Sequence, residues 1–149
     1  MMSYDDERYQ VKQMVLDLRA TFAGGLLGTT AANTNQQTSA GAVDRLEFFQ
    51  AIKLVGFKVL PEVAPDCGAH ATSQTVQMEL CQGTVTKART GALGTVAGAM
   101  VNGTIVSANI AAGTGCNIRA AVTTWDGTVQ TMAPGAVRAY IEYQERFSP

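Results

Sequence analysis

Charge is what this sequence most lacks. Charged residues make up 15% of the 149 positions, with 11 Lys+Arg against 12 Asp+Glu and a net charge of -1. A chain that neutralises many phosphates needs a basic excess, so nucleic acid is not an expected partner. An acidic solvating tail is excluded on the same arithmetic. No apolar run approaches the roughly 18 residues that span a bilayer. The N-terminal Ser3-Tyr4-Asp5-Asp6-Glu7 is acidic where a signal peptide is basic and then apolar. A soluble, unprocessed chain with no membrane partner is therefore expected.

Catalytic residue types are scarce too: there are one histidine, one tryptophan and three cysteines. A Ser-His-Asp or Cys-His relay would have to run through His70, which sits in Asp66-Cys67-Gly68-Ala69-His70-Ala71, a loop setting after Pro65. A zinc site would pair Cys67 with His70 and reach for Cys81 and Cys116 as distant ligands, whereas structural zinc sites use two close pairs. An odd number of cysteines allows at most one bridge. Buried free thiols, as in a chain folded in a reducing cytosol, are expected. No G-x-G-x-x-G or Walker pattern is present, and no carboxylate pair has the context of a glycosidase. The expectation is a protein that is not an enzyme and has no cofactor, no metal and no small-molecule substrate.

The charges that exist are unevenly placed. Asp5, Asp6, Glu7, Arg8, Lys12, Asp17 and Arg19 crowd the N-terminus, none falls between Ala20 and Val43, and from Gly91 to Val137 only Arg119 and Asp126 are charged. A free-standing small domain usually carries roughly 25–35% charge on its surface. The Gly91–Val137 stretch cannot supply that, so part of its outer face must be Thr, Ser, Asn, Gln and small apolar residues. Such a surface suits contact with other protein, because the centres of interfaces are depleted in charge.

Local pattern divides the chain. Tyr4, Val11, Met14, Val15, Leu18 and Phe22 fall on one helical stripe, with acidic residues in the first turn and Gly24-Gly25 as the stop, so the spacing predicts an amphipathic helix. Thr29 to Gly41 holds neither charge nor large apolar residue and reads as an extended arm. From Asp44 the period becomes two. Leu46, Phe48, Ile52 and Leu54 take one parity and Val55, Phe57 and Val59 the other, so a bulge near Leu54-Val55 is expected to return both runs to one core side. Val76, Met78 and Leu80 predict a half-buried strand; Leu93–Val101 a thin strand; Asn102-Gly103 a hairpin turn followed by a strand over Thr104–Ile110; Ala111–Gly115 a turn; and Cys116, Ile118, Ala120 and Val122 a further strand. Asp126-Gly127 predicts another turn, and Val137, Ala139, Ile141 and Tyr143 line one face of the last strand. Several short strands without intervening helices indicate a mainly β chain, an antiparallel β-sandwich with an N-terminal amphipathic helix and arm. Residues 1–43 are expected to form the helix and arm and residues 44–149 the sandwich, which should stay folded without the former.

The run Ala108-Asn109-Ile110-Ala111-Ala112-Gly113-Thr114-Gly115-Cys116-Asn117-Ile118-Arg119-Ala120 has the form of an apolar strand, an Ala-Ala-Gly turn and a strand bearing an arginine. Met132 to Tyr143 follows it with a second alternating strand. Over roughly Leu46 to Phe147 this resembles the jelly-roll-like β-sandwich proteins of tailed bacteriophage particles, in particular capsid decoration (cement) proteins. The resemblance implies a homotrimer on the outer capsid surface of the virion, bound to the major capsid protein and assembled in the host cytoplasm. In that reading Val11, Met14, Leu18, Phe22, Leu26 and Leu27 are the partner-binding residues, ordered on the capsid. Other virion roles (tail, neck or head fibre) fit the same pattern, and a carbohydrate-binding module using Trp125 with Tyr140 or Tyr143 is the reading from a different class.

Overall fold

The computed structural model describes residues 10–18, 46–64, 75–93, 97–124 and 137–145. Among these residues there are strands and turns but no helix: β1 (Lys12–Asp17), β2 (Ile52–Pro61), β3 (Thr75–Gln82), β4 (Val85–Thr90), β5 (Val101–Ile105), β6 (Asn109–Ile110), β7 (Cys116–Thr124) and β8 (Val137–Glu145). They hydrogen-bond into one 8-stranded sheet in the order β1-β8-β2-β5-β4-β3-β7, with β6 pairing β2 beside that path. Every pairing is antiparallel. The sheet curls into a half-barrel. The expected sandwich of two stacked sheets is thus replaced, among the described residues, by one continuous sheet. The reason lies in β5, which pairs with β2 on one side and β4 on the other and so joins what would otherwise be two sheets.

Three register shifts bend the strands. The extra residues are Val55 of β2, skipped between Leu54 and Gly56, Lys87 of β4, skipped opposite Leu80 and Cys81, and Thr123 of β7, skipped opposite Thr75 and Val76. A bulge inserts one extra residue, increases local twist and turns the strand toward the concave side. The first is the bulge that the parity switch in β2 demanded, and Ile52, Leu54, Phe57 and Val59 all end up buried. They pack with Val137, Ala139 and Ile141 of β8, Val76, Met78 and Leu80 of β3, and Cys116, Ile118 and Ala120 of β7. The inward positions read for β8 at Val137, Ala139 and Ile141 and for β7 at Cys116, Ile118 and Ala120 therefore hold, and Val76, Met78 and Leu80 of β3 are buried as expected. The Ala111–Gly115 turn also forms, with Gly113 at φ 66°.

Three expectations do not hold. Lys12–Asp17 is a strand where a helix stripe was expected; Tyr4 and Phe22 of that stripe lie outside the described residues. Two is the period that matters here. Met14 and Leu16 pack on the core and Leu18 is buried, whereas Val11 and Val15, which share the helical stripe, are 52% and 49% exposed. Leu16, which the helical stripe leaves out, is thus an inward position. Strand β3 is not half-buried, because Gln77, Glu79 and Cys81 on its second face are covered as well. Finally, Asn102-Gly103 lies inside β5 and turns nothing; the chain turns earlier, at Gly98, with φ 88°. Leu93 does reach the core, but residues 97–100 are turn and coil rather than strand.

Gly103 is there for close approach. A Cβ at this position would stand 2.8 Å from the Phe57 carbonyl oxygen and 3.1 Å from that of Arg89, between the two strands that flank β5. Backbone cannot step aside as a flexible side chain can. Gly103→Ala is therefore expected to cost about 1–3 kcal/mol through overpacking, read as a lower urea midpoint. An unchanged midpoint would mean that β5 can shift off Phe57 freely.

Candidate assembly surface

The stretch poor in charge forms β5 in the middle of the sheet order, β6 beside β2, the turns between them and the start of β7 at the far end of the sheet. Residues 97–118 carry no charged side chain, and Met100, Asn102, Thr104, Val106, Asn109 and Thr114 are exposed. Along β5 the burial alternates, so Asn102 and Thr104 project outward. They sit opposite Lys58 of β2 and Arg89 of β4. Lys58 is held by Glu142 at 3.0 Å. Solvent therefore meets amides, hydroxyls, a thioether and a valine, flanked by Lys58 and Arg89 and crossed at Ser107 and Asn109 by Lys87, whose Nζ donates to the Asn109 carbonyl at 2.7 Å. Such a patch desolvates at lower cost than an ionised one.

Arg119, the first charge after this tract, turns inward. Its Nε donates to Glu79 Oε2 at 3.1 Å, and the two side chains are 12% and 1% exposed. Gln77 Nε2 donates to the other carboxylate oxygen at 3.0 Å, and an Arg119 terminal nitrogen lies 3.4 Å from Thr86 Oγ1. The register lays this out: Glu79 faces Arg119 across β3–β7, and Cys81 faces Asn117. The one unsatisfied buried side-chain atom among the described residues, Asn117 Oδ1, belongs to the same strand. This is an interior ion pair with hydrogen-bonding neighbours, and it removes the last charge from the surface of β7's first half.

Cys81 and Cys116 are free and buried, as expected. Burial pushes the Cys81 thiol above its ordinary 9.0, against the pull of Arg119, and burial does the same at Cys116 against Lys87. Both are thiols rather than thiolates at neutral pH, so neither is an activated nucleophile or a ready metal ligand. Among the described residues no group of His, Cys, Asp and Glu is arranged to hold a metal. His70, Cys67 and Trp125 lie outside the described residues.

A cleft of about 400 Å³ opens where β1, β8 and the chain before β2 meet, lined by Met14, Glu47, Phe48, Phe49, Tyr143 and Glu145 among others. Phe48 and Tyr143 pack edge to face with ring centroids 5.3 Å apart. Phe49 beside them is completely exposed. Sequence reading missed this place: Phe48 and Phe49 adjoin in the chain, and only the turn before β2 sends one ring into the core and its neighbour into solvent. Of the expected partner-binding residues, Val11 is on the surface, Met14 lines this cleft, and Leu18 is a core residue tied to β8 by its N–H to the Val137 carbonyl at 3.0 Å. Phe22, Leu26 and Leu27 lie outside the described residues.

No protein-family model matches the chain, and no curated protein matches it. It is similar to a chain in a solved structure described as "Structure of infectious bursal disease virus Gx strain", at 8% identity and a TM-score of 0.38. The match covers 93% of this chain but 37% of the other's length. At that degree of overlap the likeness decides nothing about what this chain does.

Proposed function

We propose that this is a non-enzymatic virion structural protein of the capsid decoration (cement) type, which binds the outer capsid surface as a homotrimer and bridges copies of the major capsid protein. The observation that carries this reading is the uncharged outer surface of residues 97–118, closed off by an arginine that spends its charge inside the fold. Each copy would bind weakly through such a patch. A trimer engages three equivalent patches at high effective concentration and holds far more strongly. The location is the virion, with assembly in the host cytoplasm.

Light scattering tests the self-association, and binding to capsids of the parent particle, seen by cryo-EM, tests the rest. Thr104→Glu puts a carboxylate at the centre of the tract, at an exposed position of β5. It is expected to weaken association at least tenfold, because the carboxylate and the Arg89 opposite it would have to be desolvated together at the interface, while leaving the melting temperature nearly unchanged. A wild-type chain that stays monomeric and ignores capsids overturns the reading.

A further inference from the structure

We propose that β1 is a self-pairing edge: two copies join antiparallel along β1, about a two-fold axis through Val15, and extend the sheet across the pair. This contact lies at the end of the sheet, apart from the tract on β5, so it goes beyond the trimer contact and would link such assemblies to one another.

Strand β1 is the first in the sheet order and pairs with β8 alone among the described strands. In an antiparallel ladder every second residue directs its N–H and C=O away from its partner strand. An edge of that kind is a template for another strand, and soluble proteins guard it with a central lysine, a proline, a bulge or a covering loop. Strand β1 has none of the first three. Its sequence, KQMVLD, contains no proline, and its register with β8 runs unbroken from Lys12 to Asp17. Its charges stand only at the two ends, with Lys12 held by Glu145 at 3.0 Å. The centre, Gln13-Met14-Val15-Leu16, is uncharged, and Val15 is 49% exposed.

The side-chain pattern selects both partner and register. A two-fold axis normal to the sheet keeps core faces with core faces, so residues of like parity must oppose. Placing the axis at Val15 sets Val15 against the second copy's Val15 on the outer face. Met14 then faces the second copy's Leu16 on the core face, in both directions, and Gln13 faces the second copy's Asp17, a donor for a carboxylate. The Val15 and Met14–Leu16 pairs at the centre are favourable by type; Gln13 would share its amide with Glu142 of its own chain, which it already reaches at 3.4 Å, and the mismatch of Lys12 with the second copy's Leu18 falls only at the ends. Moving the axis to Met14 opposes Lys12 with Leu16 and Val15 with Gln13; moving it to Leu16 opposes Val15 with Asp17. A strand whose central residues are complementary to themselves in one antiparallel register, and mismatched there in those on either side, fits a second copy of this chain better than an unrelated strand.

The test uses the full chain. Sedimentation velocity compares wild type, Val15→Lys and Thr104→Glu. Val15→Lys puts two ammonium groups on the axis and is expected to halve the assembly mass, whereas Thr104→Glu acts on the other contact and leaves β1 pairing intact. A cross-linking series reads the register: Val15→Cys alone is expected to give a disulfide-linked dimer under mild oxidation, Gln13→Cys alone to give none beyond the wild-type background, and Gln13→Cys with Asp17→Cys to restore it. The proposal is overturned if wild type and Val15→Lys have the same mass, or if Gln13→Cys cross-links while Val15→Cys does not. A wild-type monomer overturns it too, even if β1 then binds an extended peptide of other sequence. Loss of mass in Thr104→Glu with none in Val15→Lys leaves the virion reading standing and removes this one.

Discussion

Arg119→Met is expected to cost about 3–5 kcal/mol of stability, the range measured when one partner of a buried ion pair is removed. The Glu79 carboxylate is 1% exposed and takes its charge-assisted hydrogen bond from Arg119 Nε at 3.1 Å. Methionine fills much of the same volume but donates nothing, so the carboxylate keeps only the Gln77 amide. The pair itself is not the source of so large a number. Two ions brought out of water nearly cancel, and the penalty comes from the one left behind. Glu79→Gln combined with Arg119→Met removes both charges and is expected to recover most of the loss. Urea denaturation of the two single variants and the double variant measures this directly. If Arg119→Met loses less than about 1 kcal/mol, as exposed pairs do, water must reach Glu79 and the interior position of the pair is wrong.

Removing residues 1–18 is the second large effect. It takes away an unbroken six-residue register with β8, from Lys12↔Tyr143 to Asp17↔Arg138. It also uncovers the core where Leu18, at 2% exposure, closes it. One fully buried leucine and the half-covered Met14 and Leu16 together account for about 3–6 kcal/mol at roughly 1.5–3 kcal/mol per full burial. The newly open β8 edge presents Tyr140, Ile141 and Tyr143 to solvent, a strand edge without a central lysine. The truncated chain is therefore expected to unfold at a markedly lower urea concentration and to aggregate on warming. A midpoint equal to that of the full chain would restore the independence of residues 44–149 that the sequence pattern suggests.

Much of the β-architecture is legible from alternation alone. From Cys116 to Val122 in β7 and from Val137 to Tyr143 in β8 one parity is apolar and the other is mostly polar, and a strand of that kind has one way to face a core. The bulge in β2 is legible for the same reason. Leu54 and Phe57 have opposite parity, both are large and apolar, and only an inserted residue lets both turn inward. The charge-poor tract is visible by counting, and the outward direction of Asn102 and Thr104 follows from Val101 and Ile105 holding the other parity of β5.

The misreadings have local causes. Residues 11–18 contain apolar side chains at both helical and strand spacings, and the choice belongs to β8, whose free edge offers six residues of backbone pairing that no local propensity includes. Asn102-Gly103 has the composition of a turn, but Gly103 is set by the crowding of Phe57 and Arg89 carbonyls on either side, strands that lie far off in the chain. Glu79 looks like a solvent-facing residue of a half-buried strand until Arg119, 40 residues on, is brought against it.

The sequence by itself determined the β class, the parity of the core strands, the bulge and the neutrality of the 97–118 surface, because each depends on residue type at short range. Only the tertiary structure decided that Lys12–Asp17 is a strand, that β5 fuses the strands into one sheet, and that Arg119 withdraws its charge from the surface. Those three depend on which distant strands become neighbours. Hydrogen-bond pairing and ion pairing act across space, and nothing in the spacing along the chain encodes the partner.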